Sequence, residues 1–280
     1  GKTIIPGKSG VQFDVEKAKE IIGDGSQASY SIPVTITQPT ITEAVLRERL
    51  FRDTLARTAT NLNEGNAPRT NNVRLAAKAI NGTILNPGDV FSYNTVVGER
   101  TQARGYQEAH AYSGGKIIDE FGGGVCQPSS TLYMAVLRAD LEVVERHNHS
   151  FTVSYTPLGE DATVDYGNLD FRFANNTAYP IKILAEQTDG QMIMTIIGTK
   201  TSDKTVATRT EVLETYKPET VEKQDSSLAA GETQVETSGI TGYSTRTYKV
   251  ITENGKTTEV LANKSTYSKR DEIVCVGTGS

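Results

Sequence analysis

Cys126 and two histidines, His147 and His149, are the side chains whose types and spacing could do chemistry in this sequence. Cys126 follows Phe121-Gly122-Gly123-Gly124-Val125 and precedes Gln127-Pro128-Ser129-Ser130. Three glycines permit tight or left-handed backbone and keep side chains away from the residues next in the chain. Pro128 suits the first turn of a helix, so Cys126 is expected at or just before a helix N-terminus. Free N–H groups and the macrodipole favour an anion there, and a thiolate is an anion. A thiol so placed ionises more readily at neutral pH. Gly124, Val125, Gln127, Ser129 and Ser130 surround the turn and are the candidates to bind substrate or an oxyanion.

A thiolate nucleophile works with a proton acceptor. Of three histidines in the chain, two lie in Glu145-Arg146-His147-Asn148-His149-Ser150, 21 and 23 positions after Cys126. One helix and a return strand fit that interval, which brings the strand end back to the helix start. In extended backbone positions 147 and 149 share a face, so both imidazoles are expected to approach the sulfur. Three other readings stand beside this one. Cys126 could be a small buried hydrophobe, could pair with Cys275 in an oxidising exterior, or could join the two histidines on zinc. No further ligand sits at matching spacing and no cofactor fingerprint is present, so neither a metal nor a cofactor is expected. Cys275 reads as a core cysteine at a strand end. His110 reads as a strand residue near a hairpin, structural or facing substrate.

The elements that must position these residues form an α+β chain in three parts. Residues 1–60 read as a small α+β module. Asp14 caps a helix that carries Val15, Ala18, Ile21 and Ile22 and stops at Gly23. A strand over 29–37 and a second helix over 41–51, with Val45, Leu46 and Leu50 inward, complete the module. The central part, 64–200, opens with a helix whose first turn holds Pro68 and whose apolar face is Val73, Leu75, Ala76, Ala79 and Ile80. Asn86-Pro87-Gly88-Asp89 turns into a short strand. Tyr106–Tyr112 and Lys116–Phe121 flank Ser113-Gly114-Gly115 as a hairpin. Residues 128–138 form the strongest helix. Strands come next at 141–147, 163–165, 170–172, 181–186 and 191–197. Residues 201–210 read as a linker. Residues 211–280 read as an elongated all-β module with a hairpin at Glu253-Asn254-Gly255-Lys256, where Asn-Gly is the strongest short-range signal. That module offers no nucleophile–base pair and is expected to be dispensable for chemistry.

At 280 residues the chain exceeds one ordinary core. Hydrophobic residues are 36% and aromatic residues 7%, with no Trp, a polar composition that still folds. The net charge of −5 comes without a Lys/Arg cluster, which argues against nucleic acid. No run of about 18 apolar residues exists, so no membrane contact is expected within this stretch. The chain opens at Gly1-Lys2-Thr3 without an initiator Met, which points to a piece of a longer protein.

Several runs in order along the chain resemble the VanW family. They are 69–77 (Arg69-Thr70-Asn71-Asn72-Val73), 86–94 (Asn86-Pro87-Gly88-Asp89-Val90-Phe91), the Gly122–Gln127 run, Glu145–Ser150 and Pro157-Leu158-Gly159-Glu160-Asp161-Ala162-Thr163-Val164. The first 60 residues resemble a truncated peptidoglycan-binding module. Residues 211–280, through Tyr216-Lys217-Pro218, Ala230-Gly231-Glu232-Thr233 and Gly239-Ile240-Thr241-Gly242-Tyr243, resemble the G-five domain of surface proteins. The resemblance implies an extracytoplasmic protein of a Gram-positive-type cell wall, secreted or membrane-anchored at full length. Its implied partners are peptidoglycan stem peptides and glycan. It further implies an L,D-transpeptidase that forms 3–3 cross-links through a cysteine thioester, with Cys126 as nucleophile, His149 as base and His147 the less secure alternative. The competing expectation is a wall-binding or adhesion protein without catalysis, which needs neither the glycine turn nor the histidines.

Overall fold

The computed structural model describes residues 4, 5, 7–113 and 116–279, the side chains of 110–119 excepted. Two compact units divide at Arg52 and Asp53.

The first unit is small. β1 (Gly10–Gln12) pairs antiparallel with β2 (Thr35–Thr37), and between them lies α1 (Val15–Ile22). Asp14 Oδ1 accepts from the N–H groups of Glu16 and Lys17 at 3.0 and 3.2 Å, and Gly23 ends the helix at φ 53°. Only Ala18 of the expected stripe is buried. The expected strand over 29–37 shrinks to its last three residues, because Pro33 offers no N–H to a ladder. α2 (Glu43–Arg49) starts at Thr42, whose hydroxyl accepts from Val45 N–H, and buries no residue fully.

The second unit opens with β3 (Asp53–Asn61), a strand that falls inside the stretch expected to end the N-terminal module. α3 (Ala67–Ile80) comes next, capped by Asn66 with Pro68 in its first turn. Then come β4 (Ile84–Leu85), β5 (Val90–Ser92), α4 (Tyr93–Val97), β6 (Glu108–Ser113), β7 (Lys116–Phe121) and α5 (Cys126–Arg138). β8 (Glu142–Glu145), β9 (Arg172–Ala174), β10 (Ile181–Thr188) and β11 (Gln191–Gly198) complete the mixed region. Its main sheet has the order β3-β11-β10-β4, and a second sheet has the order β5-β9-β8. β6 and β7 form the expected hairpin; Gly114 and Gly115 at its tip lie outside the described residues. The expected strand over 163–165 is reduced to single bridges, Thr163 to His147 and Asp165 to Leu169, and the chain turns at Gly167.

The core lies where α3 and α5 meet the main sheet, with Val73, Ile80, Leu132, Val136, Ile181, Ile183 and Met194 inside. Every residue from Gln127 to Leu137 on α5 is buried. Burying a helix on all sides requires partners for its polar side chains. β3 supplies one, the Thr60 hydroxyl, which meets that of Thr131 at 2.8 Å, while Thr58 Oγ1 donates to the backbone Thr131 O at 2.7 Å.

The all-β region begins inside the expected linker. β12 (Thr205–Tyr216), β13 (Thr220–Ala229), β14 (Thr233–Thr237), β15 (Gly242–Glu253), β16 (Lys256–Tyr267) and β17 (Glu272–Gly279) form two three-stranded sheets, β12-β15-β16 and β13-β17-β14. Asn254 and Gly255 both take positive φ at the β15–β16 turn, as the Asn-Gly pair anticipates. No helix among the described residues is long and apolar enough to cross a membrane.

Candidate functional site

Cys126 is the first residue of α5. The turn before it runs through Gly122 at φ 87° and Gly124 at φ 103°. A Cβ at Gly122 would stand 2.6 Å from Arg100 Cβ, and one at Gly124 would stand 2.7 Å from Arg69 Cγ. The glycines are therefore required twice, by backbone sign and by the side chains laid across them. Arg69 Nη2 donates to Gln127 Oε1 at 2.8 Å, and Gln127 Nε2 donates to Thr60 Oγ1 and Asn61 O at 2.9 and 2.8 Å. That chain of bonds holds Arg69 across Gly124, in the turn that leads to Cys126.

The imidazole of His149 is within hydrogen-bonding reach of Cys126. Its Nδ1 meets Asp161 Oδ2 at 2.6 Å, and its backbone N–H donates to the same oxygen at 2.7 Å. Nε2 is thus the nitrogen left for the sulfur. Tyr155 closes over the ring with its hydroxyl 3.4 Å from Nε2. The side chains of His149 and Asp161 are 13% and 1% exposed. Asp161 Oδ1 accepts from Arg146 Nη2 at 2.9 Å and from the Tyr267 hydroxyl at 2.5 Å. Thr163 Oγ1 and Val164 O each lie 3.5 Å from Cys126 Sγ.

This geometry sets the charges. Burial alone would raise the Cys126 thiol, but the hydrogen bond and positive charge of His149 bring it down to about 7. Burial alone would lower His149, but its bonds to Asp161 and Cys126 raise it to about 9. Burial would also raise the Asp161 carboxyl, yet His149 and Arg146 hold it below the usual range. Burial, reinforced by the nearby thiolate, pushes the Tyr155 phenol well above its ordinary value. Between about pH 7 and 9 the sulfur is a thiolate and the imidazole is charged. A thiol, an imidazole and a carboxylate set in this order are an arrangement able to support acyl transfer.

Other expectations are corrected. The His147 ring turns to Glu145 rather than to the sulfur: its Nε2 meets Glu145 at 3.1 Å, and its side chain is 42% exposed. The two-residue alternation fails beyond the lone bridge at His147, since Arg146 and His149, three apart, converge on Asp161. The oxyanion expectation also changes. Val125 N–H donates to Gly122 O at 3.1 Å and Gln127 N–H to Gly124 O at 3.0 Å, so the turn itself consumes both amides. Gln127, Ser129 and Ser130 are buried. Ser130 Oγ donates to Cys126 O at 2.8 Å and accepts from Ala162 N–H at 3.0 Å, which ties the 162 segment to α5. Cys126 and Cys275 are both free, which removes the disulfide alternative. Cys275 lies buried on β17, where burial and Glu236 push its thiol up. The His110 side chain lies outside the described residues.

Sequence reasoning misses Asp161, Tyr155 and Tyr267. Asp161 lies in the family-like 157–164 run, but an irregular loop gives it no periodic signature. The all-β region is expected from sequence to stand apart from the chemistry, yet its Tyr267 touches the carboxylate behind His149.

Comparison with known proteins agrees with the runs around this site. The uncharacterized protein YoaR of Bacillus subtilis (strain 168) is 37% identical over 198 residues, 69% of this chain and 65% of that protein. The vancomycin B-type resistance protein VanW of Enterococcus faecalis (strain ATCC 700802 / V583) is 29% identical over 134 residues, 46% of this chain and 49% of that one. The chain therefore spans less than two thirds of the length of either curated relative. Among solved structures, an IgA1 protease G5 domain is 18% identical, covering 29% of this chain and 98% of its own, with a TM-score of 0.21. The G5 domain of HP0197 is 21% identical, covering 27% and 100%, with a TM-score of 0.17. Residues 68–197 match the family described as VanW like protein, and residues 207–279 match the G5 domain. The chain carries a VanW-like domain followed by a G5 domain, with an unassigned module ahead of them.

Proposed function

We propose that the protein is a peptidoglycan L,D-transpeptidase that forms 3–3 cross-links through a thioester on Cys126. The observation that carries the reading is the alignment of Cys126, His149 and Asp161. A protein that only grips the wall has no use for a half-buried thiol held near neutrality by an imidazole.

The Cys126 thiolate attacks the carbonyl carbon of the L,D peptide bond that comes after the diamino acid of a tetrapeptide stem. The charged imidazole gives its proton to the D-Ala nitrogen as the C–N bond breaks, so D-Ala leaves as a neutral amine and a thioester remains. The side-chain amine of a second stem attacks the thioester. His149, now neutral, takes that amine's proton, and the thiolate departs. Water in place of the amine gives carboxypeptidase activity. Asp161 holds the imidazole with Nε2 toward the sulfur and stabilises its charge. With the Val125 and Gln127 amides engaged, Arg69 is assigned as a donor to the acyl oxyanion, since it bears on Cys126 and is fixed by Gln127. The G5 domain suits a cell-wall location, and one relative's name ties it to vancomycin resistance.

The test is liquid chromatography with mass analysis of muropeptides after incubation with tetrapeptide donors. The reading expects 3–3 dimers and released D-Ala from wild type and none from Cys126→Ala. Wild-type protein that binds sacculi but yields neither dimers nor cleaved stems would place it among wall-binding proteins.

A further inference from the structure

We infer that the G5 domain completes the reactive site, with Tyr267 acting as a positioning residue that fixes the Asp161 carboxylate for His149. This rests on the proposed roles of Cys126, His149 and Asp161.

Asp161 has two oxygens and four donors. Oδ2 takes the backbone N–H and Nδ1 of His149 at 2.7 and 2.6 Å. Oδ1 takes Arg146 at 2.9 Å and Tyr267 at 2.5 Å. One donor in four thus comes from β16 of the G5 domain. Its direction is fixed, because the Tyr267 oxygen already accepts the Gly159 N–H at 2.8 Å. The phenol proton therefore points to Asp161. The second donor on Oδ1 is also tied to β16: Arg146 Nη1 donates to Ser265 Oγ at 2.7 Å.

The loops that carry His149 and Asp161 are pinned by β16, by Ser268 just after it and by Thr210 of β12. Asn148 Nδ2 donates to Thr266 O at 2.8 Å, and Ser268 N–H donates to Ser150 O at 2.7 Å. Asn263 Nδ2 donates to Gly159 O at 2.9 Å, and Thr210 Oγ1 donates to Leu158 O at 2.9 Å. Gly159 has φ 77°, and a Cβ there would fall 2.0 Å from Thr247 Oγ1. Thr247, Ser265 and Tyr267 are buried although polar. Burying such groups is costly unless each finds a partner. Here the partners of Ser265 and Tyr267 lead to one carboxylate.

Loss of the Tyr267 hydroxyl leaves Arg146 as the sole donor on Oδ1. The guanidinium then draws the carboxylate away from Nδ1, the imidazolium loses support, and the thiol becomes harder to ionise. The charged and titratable groups facing the pair are Asp161 and Arg146 behind the ring, Tyr155 over it, Arg69 from α3 and Tyr93 from α4. None of them is replaced in a Tyr267→Phe variant.

The experiment measures iodoacetamide alkylation of the Cys126 peptide against pH in the full chain. It compares wild type, Tyr267→Phe, Ser265→Ala, Asp161→Asn, the Tyr267→Phe/Asp161→Asn double variant and Lys223→Ala, a surface control on β13. Wild type should show a midpoint of about 7. Tyr267→Phe should move the midpoint upward and slow alkylation at pH 7 by about ten-fold, the scale of one hydrogen bond to a charged group. Ser265→Ala should move it less in the same direction, and Lys223→Ala should leave it in place. In the Asp161→Asn background, Tyr267→Phe should add nothing, because both act through one carboxylate. A merely structural tyrosine would lower Tm without moving the midpoint, and its effect would add to that of Asp161→Asn. Either result overturns the positioning role while the site reading stands. A wild-type midpoint near that of a free thiol would instead overturn the site reading, and this role with it.

Discussion

Replacing Asp161 by Asn changes one atom and removes one charge, and the structure sets the size of the effect. Both carboxylate oxygens face donors only: two N–H groups of His149 on Oδ2, Arg146 and Tyr267 on Oδ1. An amide nitrogen at either position confronts donors with a donor. If it faces His149, the ring must accept at Nδ1 and carry its proton on Nε2, the wrong tautomer to take a proton from the thiol. If it faces outward, Arg146, whose side chain is 5% exposed, loses its counter-charge. Breaking such a buried pair costs about 3–5 kcal/mol. The reactivity loss comes from ionisation. A thiol at about 7 is about half ionised at pH 7, whereas one back at its model-compound value of 9.0 is about 1% ionised. Alkylation of Cys126 at pH 7 should therefore fall about 50-fold, by that ratio of thiolate fractions. Transpeptidation should fall further, by about 10⁴, since the acid step is lost as well. The assay is peptide-resolved alkylation alongside muropeptide turnover, with unfolding monitored to verify the fold. Folded Asp161→Asn protein that alkylates at the wild-type rate would refute the carboxylate's role.

The same geometry sets three further outcomes. Cys126→Ala should abolish cross-linking, a loss of about 10³ or more, while costing the fold about 1 kcal/mol in denaturant titration. His147→Ala should leave turnover within about two-fold, because its ring pairs with Glu145 outside the site. Transpeptidation should be bell-shaped in pH, with the thiolate lost below about 7 and the imidazolium lost above about 9. Stability should behave differently over that interval. Cys126, held below its unfolded value, stabilises the fold increasingly as pH rises from about 7 to 9; His149, held above its own, loses stabilisation from about 6.5 to about 9, a window that contains the first. The slopes oppose, so these groups should leave Tm nearly flat while reactivity rises.

The parts of this site legible in the sequence are those fixed by local backbone chemistry. Gly122 to Gly124 announce a turn that few other residues could make, and Pro128 announces the helix behind it. Cys126 at its start and a histidine pair after one helix and a return are legible from spacing; the choice of His149 over His147 rests on the family resemblance. Asp14 before α1 and Asn254-Gly255 between β15 and β16 are legible for the same reason. The remainder depends on tertiary contacts. β3 carries Thr58 and Thr60 inward, where their hydroxyls meet Thr131, so its buried face reads as polar and the strand goes unrecognised. His147 looks equivalent to His149 in sequence only if the backbone stays extended past β8, and it does not. Asp161 sits on a loop stabilised by Arg146, Tyr267 and Ser130, which come from distant stretches of chain. A domain boundary placed after residue 200 separates Tyr267 from the carboxylate it touches. Hydrogen bonds across a domain face leave no periodic trace in either partner.

The central claim is that Cys126 carries the acyl group, and mass spectrometry of the intact protein with peptide mapping tests it most directly. After brief incubation with a tetrapeptide stem whose diamino-acid side-chain amine is blocked by acylation, so that no acceptor amine is present, wild-type protein should gain the mass of the blocked stem less D-Ala. The adduct should map to the peptide bearing Cys126 and be released by hydroxylamine, as a thioester is. No adduct under these conditions, or one on Cys275 instead, would contradict the account.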